Sequence, residues 1–340
     1  MHTGRNYSVT EVLMWTRRDV AALLLISTVP TACFVLLGWR WLAIPWLPVA
    51  LLGTAVAFVV GFKNNASYDR LWEARRIWGA IVNVSRVFGA MVRDFVTNHK
   101  ASPALKQEEL TAIHLQVFER HFAWLCALRF ALREKREWES IYKPHNAEYK
   151  NRWFTVEEHE KQLGPELKRY LSAEEFEAVM KTNNKAAQIL ALQSKHFAEL
   201  HRRGLIEDLR HVELERQLVE MNTQQGGSER IKNFPYPRQY ATLNLWFVKL
   251  FVLLIPLGML QEFQKLGDSL VWLTIPFSAL SGWIFTTLEK IGEASESPFE
   301  GSANDVPITS MARNIEIDMR QMIHNTDLPK PVDATHHIVT

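Results

Sequence analysis

The stretch Ala55–Gly79, "AVAFVVGFKNNASYDRLWEARRIWG", changes from apolar to polar within three residues. Lys63, Asn64 and Asn65 follow directly on an apolar run, and charged residues and tryptophans come after them. The apolar run as a whole spans Trp41–Phe62, which is 22 residues without a charge. A helix of about 20 apolar residues crosses a bilayer core. The stretch therefore predicts a membrane helix that ends abruptly before Lys63.

Three further apolar spans have a similar length. Val20–Trp39 and Ser269–Leu288 carry no charge over 20 residues each, and Tyr240–Leu260 carries a single lysine. The first span is too long for a secretory signal peptide, and the second span follows it at once. We therefore predict an all-α membrane protein with four transmembrane helices in two hairpins, 20–63 and 240–289.

Most of the basic residues beside the spans lie on one side of the predicted topology. They are Arg17 and Arg18 before the first span, Lys63, Arg70, Arg75 and Arg76 after the second, Lys232 and Arg238 before the third, and Lys290 after the fourth. Lysine and arginine collect in cytoplasmic loops. Residues 1–19, 64–239 and 290–340, which include both termini, are therefore predicted to be cytoplasmic, and the two hairpin tips to face out.

The long middle segment is predicted to be a large helical cytoplasmic region. Its apolar residues recur at helical spacing, as in Ile113, Val117, Leu125 and Leu132, and alternation with period two is nearly absent. The sequence contains no nucleophile elbow, phosphate-binding loop, glycine-rich dinucleotide turn or HExxH motif. The chain is therefore predicted not to be an enzyme. Its net charge of only +2 does not indicate nucleic acid as a partner.

The histidines and cysteines do not predict a metal site. His114 and His121 are seven residues apart on a helix, but no carboxylate lies between them at zinc-site spacing. Cys33 and Cys126 form no CxxC pair. No cofactor is expected from these residues.

One face of the second span permits two interpretations. Thr54, Phe58 and Phe62 fall at i, i+4 and i+8, beside a stripe of small residues that begins at Gly53. Small residues let helices approach closely in lipid, so the phenylalanines can be a packed or lipid-facing pair. The same phenylalanines from several subunits would form a hydrophobic constriction that gates by dewetting. The pattern alone favours the packed pair and leaves the constriction open.

Three segments resemble one known family along nearly the whole chain. "GFKNNASYDRLWEARRIWG", at 61–79, is similar to the signature of the bacterial branch of the bestrophins. "GGSERIKNFPYPRQYATLN" and "ESPFEGSANDVPITSMARNIEIDMRQMI", at 226–244 and 296–323, resemble that branch before and after the second hairpin. The resemblance runs from about Tyr7 to about His324. It implies a multi-pass ion channel in the bacterial plasma (inner) membrane, a homopentamer around one central pore, and it favours the constriction over the packed pair.

The resemblance also implies residue roles. The pore neck would be Thr54, Phe58 and Phe62, although an aliphatic residue is usual where Thr54 stands. Lys63, Asn64 and Asn65 would lie in a hydrated vestibule just below the neck. All six residues lie close to the point where the predicted membrane helix ends, just before Lys63.

Two further sites are implied near the cytoplasmic end. A second constriction would fall on Val212, with Leu209 or Ile206 as alternatives because the loop lengths upstream differ. Animal members bind calcium through an acidic run that here reads "EGSAND", with only Glu300 and Asp305 acidic. Calcium takes six to eight oxygen ligands, so the sequence predicts a degraded site without calcium gating.

The sign of the permeating ion stays open at this level. The family type passes chloride and other anions, whereas an uncharged neck also allows small monovalent cations. A secondary transporter is one alternative, but it would require ionisable residues around a midplane site. A membrane-anchored helical protein for interaction or signalling is the other. The partners implied by the channel interpretation are other copies of the chain, small inorganic ions and the lipid bilayer.

Overall fold

The computed structural model describes residues 1–98, 101 and 104–340, and in that part of the chain it contains helices and no strand. The helices are α1 (Val9–Leu36), α2 (Trp46–Phe95), α3 (Gln107–Arg133), α4 (Pro144–Trp153), α5 (Glu157–Glu160), α6 (Leu163–Leu167), α7 (Ala173–Met180), α8 (Lys185–Arg202), α9 (Asp208–Asn233), α10 (Arg238–Leu266), α11 (Thr274–Ser295) and α12 (Ile308–Met322). Short 3₁₀ turns at Arg40–Leu42 and Asp268–Leu273 close the two hairpins. The predicted all-α class is confirmed.

The helix α2 is the longest element. It has 50 residues, which corresponds to about 75 Å. The predicted span ends at Phe62, whereas the helix continues through the charged stretch to Phe95. No proline follows Pro48 in this helix, and the charged stretch is rich in alanine and arginine, which are good helix formers. The apolar and charged halves of the opening stretch are therefore parts of one continuous helix.

Four helices in the described residues are long and apolar enough to cross a membrane: α1, α2, α10 and α11. They pack against one another, and each overlaps one of the predicted spans. The helix α10 contains its whole span, whereas in α1, α2 and α11 the three to five span residues nearest the hairpin turn lie outside the helix. The helix α1 begins before its span, at Val9, because Ser8 and Glu11 form a capping box there. The membrane boundaries inside these helices stay predictions.

A second core holds the rest of the chain together. It lies where the charged half of α2 packs against α9 and α12, and where α3 packs against α8. Large side chains fill it, including Trp78, Phe88, Trp124 and Phe197, all fully buried. Burial of a large apolar side chain contributes about 1.5–3 kcal/mol. This core fixes the lower half of α2 and therefore positions its upper half as well.

His121 makes the stability of this second core depend on pH. Its Nε2 lies 2.9 Å from Ser85 Oγ, its ring stacks on Phe88, and burial lowers its pKa to about 3. The unfolded chain has the ordinary His pKa of about 6.5 and binds more protons below it, so stability falls as pH drops from 6.5 towards 3. His121 alone should remove about 2 kcal/mol of the free energy of unfolding between pH 7 and pH 5.

The measurement is urea unfolding of the purified protein in detergent at pH 7 and pH 5. His121→Gln keeps a hydrogen-bonding group without proton uptake, so its pH dependence should be smaller by that amount. The pKa values of His145, His159 and His196 are lowered to about 4, again mainly by burial, so part of the pH dependence should remain. An unchanged pH dependence in His121→Gln contradicts the expectation.

Candidate functional site

The predicted neck residues lie on the outer face of α2. Thr54, Phe58 and Phe62 are all exposed in the protomer, with 64% of Phe58 and 70% of Phe62 accessible. The positions of α2 that pack on the other membrane helices, such as Val56 and Val60, are buried. At about 100° per residue the two sets lie on opposite sides of the helix. The phenylalanine face is therefore not used in the packing of a single chain.

The small residues beside the phenylalanines do not form one packing stripe. A Cβ on Gly53 would come within 2.6 Å of the Phe251 ring, so α10 approaches closely there, whereas nothing lies within 4 Å of a Cβ on Gly61. Steps of four residues rotate by about 40° each on an α-helix. Ala57 and Gly61 therefore turn away from α10 and are exposed beside the phenylalanines.

Lys63 does not line a vestibule in this protomer, which corrects the prediction from the sequence. Only 3% of it is exposed, and its Nζ lies 2.5 Å from Glu289 Oε1 on α11. Lys63 is one residue past Phe62 and therefore points about 100° away from it, towards the other helices. A buried lysine requires a paired charge. Its role here is to join α2 to α11.

The two asparagines after Lys63 have different surroundings. Asn64 is partly buried and donates a hydrogen bond from Nδ2 to the carbonyl oxygen of Leu288, at 3.1 Å. Asn65 is exposed on the side of α2 that carries the phenylalanines. Of the three residues predicted for the vestibule, Asn65 is the one whose position remains compatible with that role.

A polar cluster that the sequence analysis missed surrounds Lys63. Asn244 of α10 donates a hydrogen bond to the same Glu289, and Glu296 Oε2 lies 4.0 Å from Lys63 Nζ. Arg238 donates to the other oxygen of Glu296, at 2.7 Å. Two features of the sequence could have indicated this cluster: Asn244 lies inside the third apolar span, and Glu289 directly follows the fourth. We call these five residues the inner cluster, and it connects α2, α10 and α11.

The helix α9 runs antiparallel beside the charged half of α2. Arg230 near its end pairs with Glu73 at 2.5 Å, and Arg210 near its start lies over the Phe95 ring, 5.4 Å from the centroid. The start of α9 is therefore level with the end of α2. That end is about 50 Å below Phe62 along the helix.

The candidates for the second constriction differ in exposure. Ile206 is only 2% exposed and belongs to the second core, so it cannot face a channel, which removes it as an alternative. Ile206 lies before α9, which begins at Asp208, in the loop that packs into this core. Leu209 is 81% exposed in the first turn of α9, and Val212 is exposed one turn later. Both lie near the end of α2 that is farthest from Phe62.

The two acidic residues of the predicted degraded calcium site are held by protein donors. Asp305 accepts hydrogen bonds from the backbone N–H groups of Phe299 and Gly301 and from Arg133 Nη1, at 2.6–2.7 Å. Glu300 accepts from the backbone N–H and the hydroxyl of Ser140, at 2.8 and 2.9 Å. Burial raises the pKa of Glu300 well above its usual range.

The acidic loop is therefore fixed by these donors, including a guanidinium. Among residues 1–98, 101 and 104–340, no three His, Cys, Asp or Glu side chains lie close enough to hold a metal ion together.

A partly open cavity of about 350 Å³ lies at the junction of α1, α4 and α11. Trp15, Tyr149 and Ile291 are among its lining residues, and none of the lining residues belongs to α2. The cavity is therefore separate from the phenylalanine face. A path along that face would have to form between copies of the chain.

Comparisons with known proteins agree with this architecture. The family model "Bacterial/Fungal Bestrophin protein" matches residues 8–321. The chain is 27% identical over 290 residues to the voltage-dependent anion channel-forming protein YneE of Escherichia coli K12, covering 85% of this chain and 81% of that protein. It is 28% identical over 282 residues to the voltage-dependent anion channel-forming protein RSc3414 of Ralstonia nicotianae, covering 83% and 78%. A crystal structure of a bacterial bestrophin homologue from Klebsiella pneumoniae superposes with a TM-score of 0.72 at 22% identity, covering 90% and 98%.

Proposed function

This chain belongs to the bacterial and fungal bestrophin family, and on that premise we propose that it forms an anion channel for passive conduction of small monovalent ions. Relatives named as anion channel-forming proteins support this function. The neck carries no formal charge, so a share of cation current is compatible with the proposal. Catalysis is not part of the proposed function, and neither is calcium gating, because Arg133 and backbone groups already occupy the acidic loop.

The observation that carries the proposal is the face of α2 that packs against no other described helix of the protomer. Two phenylalanines, Phe58 and Phe62, lie exposed on a helix whose opposite side is packed. Five copies arranged with this face inwards would close a narrow apolar neck with Thr54 at its outer end. Ala57 and Gly61 beside the phenylalanines would allow the neighbouring helices to approach closely. A hydrophobic neck of this kind gates by dewetting.

The proposed location is the plasma (inner) membrane of a bacterium. The relatives named above are bacterial proteins. Lysines and arginines gather at the inner ends of the four membrane helices, which favours cytoplasmic termini. The phenylalanine neck then lies in the membrane, and α9 and the lower half of α2 lie in the cytoplasm.

The proposal is tested by recording purified protein in planar bilayers under asymmetric KCl. Discrete unitary currents with a reversal potential displaced towards that of chloride are expected. Saturable flux coupled to a second ion, without unitary currents, would indicate a transporter. The absence of any flux would leave the membrane-anchored interaction protein as the better interpretation.

Leu209 is the residue that we propose for the second constriction. Leu209→Ala should increase unitary conductance by about twofold, because a ring of large apolar side chains is shortened. Leu328→Ala is the matched control, since it makes the same change at an exposed leucine outside α9. An effect in Val212→Ala alone would move the constriction to Val212. No effect in either variant would show that α9 does not form one.

A further inference from the structure

Two charged residues of α2 continue the phenylalanine face below the neck. Asp69 is seven residues after Phe62, which places it about 10 Å farther along the helix and rotated by only about 20°. Arg76 is seven residues after Asp69, with the same rise and rotation. Because α2 is one unbroken helix, these offsets follow from its geometry. Whatever Phe62 faces, Asp69 and Arg76 face as well.

Neither charge has a partner among the described residues of the protomer. Asp69 and Arg76 are exposed, and within residues 1–98, 101 and 104–340 neither makes a hydrogen bond or an ion pair. Two charges on the flanks of the same segment do have partners. Glu73 pairs with Arg230, and Arg70 donates hydrogen bonds to the carbonyl oxygens of Glu296, Ile231 and Phe234. Within the described part of the chain Arg75 also makes no hydrogen bond or ion pair, but it is half-buried with its Nε enclosed by the protein. The exposed, unpaired charges of this segment are therefore Asp69 and Arg76, on the phenylalanine face.

We infer that Asp69 and Arg76 are specificity-determining residues that bias the sign of the permeating ion in opposite directions. The inference rests on the proposed function, because it requires that α2 lines the pore. Lys63 is buried and paired, and Asn65 is neutral, so Asp69 is the first formal charge on this face below the neck. In a pentamer it forms a ring of five carboxylates that attracts cations. Arg76 forms the opposite ring, which attracts anions.

The distance between the rings lets each act locally. About 10 Å separates them along the helix, which is close to the Debye length of about 8 Å at physiological ionic strength. An ion beside one ring is therefore partly screened from the other. Because the neck itself is uncharged, removing one ring leaves the other to dominate the selectivity.

The experiment measures reversal potentials in planar bilayers under a KCl gradient. Asp69→Asn should raise the chloride-to-potassium permeability ratio at least twofold, and Arg76→Gln should lower it at least twofold. Asp69→Glu, which keeps the charge, should restore the wild-type ratio. The double variant Glu73→Gln, Arg230→Gln removes a charge pair from the same region without changing net charge, and it should leave the ratio unchanged.

A second measurement changes the charge at position 69 only after the channel has assembled. Asp69→Cys is modified after assembly with a positively or a negatively charged thiol reagent, and the two reagents should move the reversal potential in opposite directions. Wild-type protein with the same reagents controls for Cys33 and Cys126. Unitary currents with unchanged reversal potentials in all variants would overturn the inference while the channel function stands. Absence of unitary currents in the wild type would overturn the proposed function itself.

Discussion

Replacing Phe58 and Phe62 together with alanine is expected to increase unitary conductance at least about threefold, because the neck would lose its two bulky rings and stay wetted. Both side chains are exposed in the protomer, so their loss removes little packing within one chain. Single-channel recording in planar bilayers measures the effect. The wild type and the double variant are compared at the same salt concentration and voltage.

A matched control separates the neck from a general loss of aromatic surface. Phe247→Ala with Phe277→Ala makes the same chemical change at two exposed positions of α10 and α11, away from the phenylalanine face of α2. Conductance should stay at the wild-type value in this control. If the Phe58, Phe62 variant also conducts like the wild type, α2 does not form the neck.

Replacing Lys63 with methionine is expected to lower the free energy of unfolding by about 3–5 kcal/mol, because it leaves Glu289 buried without its cation. Glu289 would retain the hydrogen bond from Asn244, which does not compensate a full charge. Thermal unfolding in detergent measures the loss. The double variant Lys63→Met, Glu289→Gln removes both charges and should recover most of the stability, since uncharged replacements of a buried pair are often tolerated.

The control for Lys63 is an exposed ion pair. Lys265 and Glu262 lie 2.7 Å apart near the end of α10, and both side chains are largely solvent-accessible. Exposed pairs contribute about 0–1 kcal/mol, so Lys265→Met should leave unfolding nearly unchanged. Equal stability of Lys63→Met and the wild type would show that the inner cluster does not hold α2 to α11.

The membrane helices could be predicted from the sequence because the signal is local. About 20 apolar residues in a row need no partner to be identified as a span. That Thr54, Phe58 and Phe62 share one face of α2 could also be predicted, since they lie within eight residues of one another. The neck itself is proposed from the family resemblance, because an exposed aromatic pair has the same local pattern in a lipid-facing helix.

The inner cluster could not be predicted because its partners are far apart in the chain. Lys63 and Glu289 are separated by 226 residues. Helix geometry places Lys63 about 100° from Phe62, but only the packing of α11 shows that this direction leads into the protein. Ile206 was a candidate for a related reason. Without the start of α9 at Asp208, the sequence does not show that Ile206 belongs to the loop that packs into the second core.

The unbroken length of α2 has a mechanical consequence. In the proposed channel, this rod of about 75 Å is clamped by the second core in its lower half and lines the neck in its upper half, so it would act as a lever. A tilt of 1° about its lower end displaces its upper end by about 1 Å, a distance comparable to the radius of a water molecule. Small rearrangements among α3, α9 and α12 would then reach Phe58 and Phe62 as a change in the diameter of the proposed neck, because no joint separates the two halves of the helix.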